Sequence, residues 1–231
     1  ERFSVRAKFV QPLLSRGSSR WRAWEGQIFG DFNRVDLSEL RRYADLGIDL
    51  QQGRGAVRAW VDVDRAQVSN VVADVALAQV DVTLDAGLQA LEMQSVLGRL
   101  GVQMLPRGFE FEAQALAFDT HDGLHWPAGN ISALYLSADA DESARGEFKA
   151  DKLDLATLSQ IADRLPIDPK MRATLAAYAP KGLVQRIQAR WQGPFDALNT
   201  YEARGRVSGL AFSAQNARPV AGAAPKLPLA V

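Results

Sequence analysis

Cysteine is absent from the 231 residues, which excludes disulfides and thiolate metal sites and fits any compartment. Net charge is absent as well, since 27 Lys plus Arg balance 27 Asp plus Glu. A neutral chain lacks the basic surface that phosphate backbones require, so no nucleic acid is expected as a partner. No run of eighteen apolar residues occurs, so no membrane-spanning helix is encoded here. Histidine is reduced to His121 and His125. They sit in what reads as a polar loop from Asp119 to Asn130, without the rigid helical face that fixes zinc ligands. Asp139, Asp141 and Glu142 lack the glycine and bidentate glutamate of a calcium loop and read as a polar turn. Gly53-Arg54-Gly55 precedes a strand, whereas phosphate loops open a helix. There is no Gly-x-Ser-x-Gly elbow and no thiol nucleophile. Glu110 and Glu112 stand on the outer face of a strand rather than converging in a cleft. The expectation is no enzyme, no metal and no cofactor.

What the chain has in quantity is alternation. Side chains along a strand point to opposite faces in turn, so apolar residues at every second position mark a sheet with one apolar face. In the stretch from Ala56 to Leu84, Val57, Ala59, Val61 and Val63 share a face, with Arg58, Trp60 and Asp62 on the other. Beyond a polar break, Val71, Ala73, Val75 and Leu77 share a face, and the parity then flips to Val80, Val82 and Leu84. A flip of this kind predicts a bulge that bends the strand. Further strands are expected at Phe3 to Val10, Trp21 to Phe32, Leu91 to Leu100, Gly101 to Leu105, Phe109 to Phe118, Ile131 to Ala138, Gly146 to Leu153, Leu183 to Trp191 and Tyr201 to Ala214. Within these, Phe109, Phe111, Ala113 and Ala115 are read onto one face, and so are Leu183, Gln185, Ile187, Ala189 and Trp191. Pro106-Arg107-Gly108 is a hairpin signal.

Three short helices are expected. The first, Asp36 to Asp45, opens on an aspartate N-cap with Glu39 three residues on, and carries Leu37, Leu40 and Ala44 at helical spacing. The second and third, Asp154 to Arg164 and Asp168 to Tyr178, are separated by Pro166. Asp36 and Asp154 both begin the pattern Asp-Leu-x-x-Leu-x-x-x-Ala-Asp. Either a strand–helix–strand unit occurs twice on one sheet, or cap chemistry has converged. Three short helices cannot cover roughly ten strands, a sheet about 50 Å across at the usual strand spacing. Either the sheet closes on itself as a sandwich with a dry core, or it curves into a trough met by another apolar partner. The residues alone favour the closed core.

A resemblance shifts that balance. Asp36-Leu37-x-x-Leu40, then Gln51-Gln52-Gly53-Arg54-Gly55-Ala56-Val57-Arg58-Ala59-Trp60, then Val72-Ala73-Asp74-Val75-Ala76-Leu77-Ala78-Gln79-Val80 resemble the large AsmA-like envelope proteins of Gram-negative bacteria, of the YhdP type and related to TamB. Leu153-Asp154-Leu155-Ala156-x-Leu158, Asp163-Arg164-Leu165-Pro166, Ala179-Pro180-Lys181-Gly182 and Gly205-Arg206-Val207-x-Gly209-Leu210 fit the same pattern, so the likeness covers most of Arg34 to Phe212. The resemblance implies a mainly β fold with a few short helices, in which a long curved antiparallel sheet forms an open apolar groove. It implies a periplasmic section of a lipid-transfer bridge that carries phospholipid between inner and outer membranes. The implied partners are phospholipid acyl chains, neighbouring sections of the same longer chain, and an inner-membrane anchor and outer-membrane contacts in parts outside this piece. It supplies no catalytic residues.

Residues 1–217 are expected to form one section of the groove, with helical insertions near 36–46 and 154–178, and 218–231 an Ala/Pro-rich tail. The chain opens on Glu1 and is expected to be a piece of something longer. Strand parity nominates Val57, Ala59, Val61, Val63, Val71, Val75, Leu77, Phe109, Phe111, Ile187 and Trp191 as groove lining. The rival readings are a closed structural or protein-interaction module of the envelope, and a carbohydrate-binding β domain suggested by five tryptophans.

Overall fold

The computed structural model of the chain describes residues 3–10, 25–40, 48–194 and 198–212. Its strands are β1 Phe3–Val10, β2 Glu25–Asp36, β3 Asp49–Asp64, β4 Gln67–Thr83, β5 Leu91–Leu105, β6 Gly108–Thr120, β7 His125–Leu136, β8 Arg145–Asp154, β9 Lys181–Gln192 and β10 Thr200–Ala211. All ten lie in one antiparallel sheet, each beside its neighbour in sequence. β1 and β10 do not meet, so the sheet is not closed into a barrel. The closed core favoured by the residues alone is therefore overturned. A meander adds each strand to the free edge of the last, so the sheet widens instead of stacking on itself. The expected long curved sheet with an open apolar groove is the fold.

Local chemistry explains the turns and bends. The β3–β4 hairpin turns through Arg65 and Ala66, at φ 49° and 60°, the left-handed pair that suits the twist of the flanking strands. Gln79, Ala115 and Arg186 take left-handed φ of 54°, 51° and 52° inside β4, β6 and β9. Each is a bulge at which the apolar set changes parity yet stays on the same side of the sheet. Gln79 is where the sequence places the flip in β4. The other two bulges correct the reading: Ala115 is exposed, and in β9 Val184 rather than Leu183 or Gln185 shares the face of Ile187, because the parity changes at Arg186.

Two boundaries also move. Leu91–Leu105 is a single strand. The expected polar loop shrinks to residues 121–124, because β7 already starts at His125. Trp126 draws that segment into the sheet by stacking on Phe118, with ring centroids 5.6 Å apart. Pro127 falls where the β6–β7 pairing is interrupted, a position that needs no ladder donor.

The helices are α1 Leu37–Leu40, α2 Leu155–Ile161, which runs into a 3-10 turn Ala162–Arg164, and α3 Pro169–Tyr178. Asp36 accepts from the backbone N–H of Ser38 at 3.1 Å. Asp154 caps α2 through Thr157 N–H at 2.9 Å. Asp168 caps α3 through Lys170 and Met171, and Pro169 occupies the first turn. Residues 41–45 of the first expected helix, Trp21 and Trp24, and the tail 218–231 lie outside the described residues.

The packed core sits at one end of the sheet. Leu37 from α1 and Ile161 from α2 close over Leu50, Val80, Val82, Leu91, Met93, Val96, Phe118 and Trp126. Asp122 accepts from the Arg164 guanidinium at 2.8 Å, and Asp163 C=O accepts from Gln89 N–H at 3.3 Å. The α2 segment is thereby tied to the loops at that end. Both strand–helix–strand units, β2-α1-β3 and β8-α2-α3-β9, lie between antiparallel neighbours of the one sheet.

Candidate functional site

Residues directly opposite each other on antiparallel strands point to the same face, so the register can be followed across the sheet. One transverse row runs Ala7, Ile28, Val61, Val71, Val102, Phe111, Ala133, Phe148, Ala189, Ala203, with every step a direct pair. All ten positions are apolar and none is fully buried. At ordinary strand spacing the row is about 43 Å long.

A second row lies beside it toward the packed end: Val5, Gly30, Ala59, Ala73, Leu100, Ala113, Ile131, Ala150, Ile187. A third begins beyond that, Phe3, Phe32, Val57, Val75, Gly98. On the opposite flank, near the hairpin tips, Met104, Phe109, Tyr135, Gly146, Trp191 and Tyr201 are paired in turn across β5 to β10. The four rows span seven residues of β3, Val57 to Val63, or about 20 Å along the strands.

Every nominated residue stands on this face. Val57, Ala59, Val61 and Val63 pair toward Val75, Ala73, Val71 and Val68. Leu77 pairs with Val96 next to the packed end. Phe109 and Phe111 lie on β6, and Ile187 and Trp191 on β9. The register adds Ile28, Leu100, Val102, Met104, Tyr135 and Phe148. Ile28 was illegible because Gly26 and Gly30 break the alternation of β2. Those glycines carry rings from neighbouring positions: a Cβ on Gly26 would lie 2.2 Å from Phe9 Cδ1, and one on Gly30 would lie 2.6 Å from Phe32 Cε2. A glycine under an aromatic, from the paired position at Gly26 and from two residues along the strand at Gly30, is the signal that could have placed Ile28.

The other face is polar and carries its own ladder. Asp31, Arg58, Asp74 and Arg99 are paired across β2 to β5. Arg58 Nη2 lies 3.2 Å from Asp31, and Arg99 Nε lies 2.6 Å from Asp74. The Arg99 hydrogen bond holds the Asp74 carboxyl below its ordinary range. Asp62 is lowered by its hydrogen bonds from Asn70 and Gln27. Glu147 falls to about 2, held first by Gln188 and then by Arg190 and Lys149. Ser95 donates to Asp119 at 2.8 Å, and His125 Nδ1 lies 2.7 Å from the other Asp119 oxygen. The carboxylate is in the middle of that trio, so the histidine cannot activate the hydroxyl as a nucleophile. A depression of about 550 Å³ on this face is bordered by Glu112, Ser132, Lys149, Asp151, Arg186 and Gln188. It is walled by charges of both signs, and Ala113, Ile131, Ala150 and Ile187 of the second apolar row line it too.

No group of three metal-ligating side chains gathers among the described residues. Nor do the described tryptophans line one exposed face. Trp60 lies against Phe29 at 5.4 Å and under Arg99 on the polar side, Trp126 is in the packed core, and Trp191 is in the groove. No helix of the described residues is long and apolar enough to cross a membrane.

Chemically, the arrangement offers a continuous apolar strip, half-open to water, on a sheet stiffened from behind by ion pairs. Neither a curated protein nor a solved structure matches the chain. A family model described as YhdP protein matches residues 1–226.

Proposed function

Because the chain belongs to the YhdP protein family, a family of non-enzymatic envelope proteins, we propose that it is a periplasmic section of a lipid-transfer bridge, along which phospholipid acyl chains pass between the inner and outer membranes. The observation that carries the reading is the unbroken apolar row across ten strands, none of it fully buried by the described residues. Removing acyl chains from water is worth about 0.8 kcal/mol per methylene, so a strip with no apolar gap keeps that gain at every step along it. The rows carry no charged side chain, which suits sliding rather than capture.

β1 and β10 each present a long edge with exposed Phe3, Val5, Tyr201 and Val207. Unpaired edges of this kind are templates for further strands. Neighbouring sections of a longer chain continue the groove at both edges, and its membrane anchor and outer-membrane contacts belong to parts beyond this section.

The test places a photo-crosslinking residue at Val61 and at Val75 in the full-length protein in cells, with Arg58 on the opposite face as control. Phospholipid adducts at the first two and none at the third are the expected result. Adducts at Arg58 alone would refute the assigned face. Purified protein that carries no phospholipid in native mass spectrometry would refute the reading itself.

A further inference from the structure

The apolar face is not symmetric about its length. On one flank the helices close it: Ile161 is 1% exposed and Val82 5%, so cargo cannot extend there. On the other flank stand the hairpin tips, and just inside them the lining turns aromatic. Phe109 pairs with Tyr135 across the strands, with ring centroids 6.2 Å apart. Tyr135 pairs with Gly146, Gly146 with Trp191, and Trp191 with Tyr201. Gly146 is the one small residue in this run, and the Trp191 indole fills its place: a Cβ there would lie 2.0 Å from Cζ2. The result is a band of four rings at one level across the five strands β6 to β10, with the Trp191 indole covering Gly146 of β8.

Tyrosine and tryptophan have an apolar body and a polar tip, and they collect where an apolar layer meets a wet polar one. Here the Trp191 Nε1 is buried, so Trp191 contributes its ring body and the tyrosines supply the polar tips. Immediately outside the band the hairpin tips carry both charge signs close together. Arg107 bridges Asp139 and Glu142 of the next hairpin, and farther along the same edge, at the β3–β4 tip beyond the band, Arg65 lies 3.5 Å from Asp64. A rim of paired opposite charges matches a headgroup that itself carries both signs. The apolar width inside it, about 20 Å, accommodates the depth that lipid tails occupy in one leaflet, about 15 Å.

Building on the lipid-bridge reading, we infer that Tyr135, Trp191 and Tyr201 form an interfacial belt that fixes cargo orientation. Zwitterionic headgroups ride on the hairpin rim, glycerol lies level with the rings, and tails point toward the helix-capped end. The belt residues are positioning residues: they set depth and direction, while the aliphatic rows supply the binding.

The test uses the full chain equilibrated with phosphatidylcholine vesicles whose lipids carry a nitroxide either beside the glycerol or near the acyl methyl end. The Trp191 signal is the fluorescence difference between the native chain and Trp191→Phe, which keeps a ring over Gly146. The Trp126 signal is obtained in the same way from Trp126→Phe. The expected result is stronger quenching of Trp191 by the glycerol-level nitroxide than by the methyl-end one, with Trp126 quenched by neither. Stronger or equal quenching of Trp191 by the methyl-end label overturns the orientation, and so does stronger quenching of Trp126 by the glycerol-level label. If neither label quenches either residue and no lipid co-purifies, the lipid-bridge reading fails and takes the belt with it. Bound lipid without the depth difference removes the belt alone.

Discussion

The two ends of one sheet face are built from the same residue types and treated in opposite ways. At the packed end, valines, leucines and rings from β3 to β7 are covered by α1 and α2 until Ile161 is 1% exposed. A few residues further along the same strands, Val61, Val71 and Phe111 are not fully buried by the described residues. The difference teaches that hydrophobicity alone does not make a core here. Helices are supplied where the face must be dry and left out where it must stay accessible. The packed end fixes register and anchors the strands, and the bulges at Gln79, Ala115 and Arg186 carry the apolar set from one regime to the other.

The largest test of that contrast compares like with like. Ile161→Ala should lower the unfolding free energy by about 2–5 kcal/mol, since it empties a filled site. Ile28→Ala, in the open row, leaves no enclosed cavity and should lose about 1 kcal/mol. Urea denaturation of both variants decides it. Equal losses would mean that the open rows are as well packed as the capped end, and the contrast would collapse.

A narrower test asks whether the groove is loosely built throughout. At Gly146 it is not, because Trp191 lies where a side chain would go, whereas a Cβ on Gly129 would meet Lys152 at an ordinary 3.6 Å. Gly146→Ala should destabilise by about 1–3 kcal/mol through overpacking and shift the Trp191 emission. Gly129→Ala should change both little. Denaturation followed by tryptophan fluorescence reads the two together.

Alternation made β1, β3, β4 and the face of the nominated lining legible, because one-sided exposure imposes period two on the residues themselves. Capping aspartates made α2 and α3 legible for an equally local reason. What could not be read is non-local. The sequence contains a bulge at Ala115 or Arg186 as an ordinary residue, and only the partner strand reveals that the parity has changed. The glycines of β2 and β8 look like interruptions until the rings of Phe9, Phe32 and Trp191 are seen to occupy them. Residue counting favoured a closed core because it assumed that every apolar face must be covered by its own chain. The likeness to a family of envelope proteins removed that assumption, and composition could not.

The smallest expected effect concerns the polar face behind the groove. With no layer on the apolar side, the open half depends on its backbone ladder and on cross-strand ion pairs, whereas the packed end retains its apolar contacts when carboxylates are neutralised. Glu147 is the clearest handle. Its carboxyl falls from 4.5 to about 2 through Gln188, Arg190 and Lys149, with Arg190 Nε at 2.9 Å. A carboxyl lowered on folding stabilises the native state above its unfolded value, and that stabilisation is lost as pH falls from about 4.5 toward 2. Partly exposed pairs are screened, so Glu147→Gln should remove less than about 1 kcal/mol at neutral pH. It should also flatten the acid dependence across that window. Amide hydrogen exchange should show β8 and β9 losing protection on acidification before Val82, Leu91 and Ile161, and losing it less steeply in Glu147→Gln. Simultaneous loss at both ends would mean that the sheet responds to acid as one unit, and that the capped core lends its stability to the open half.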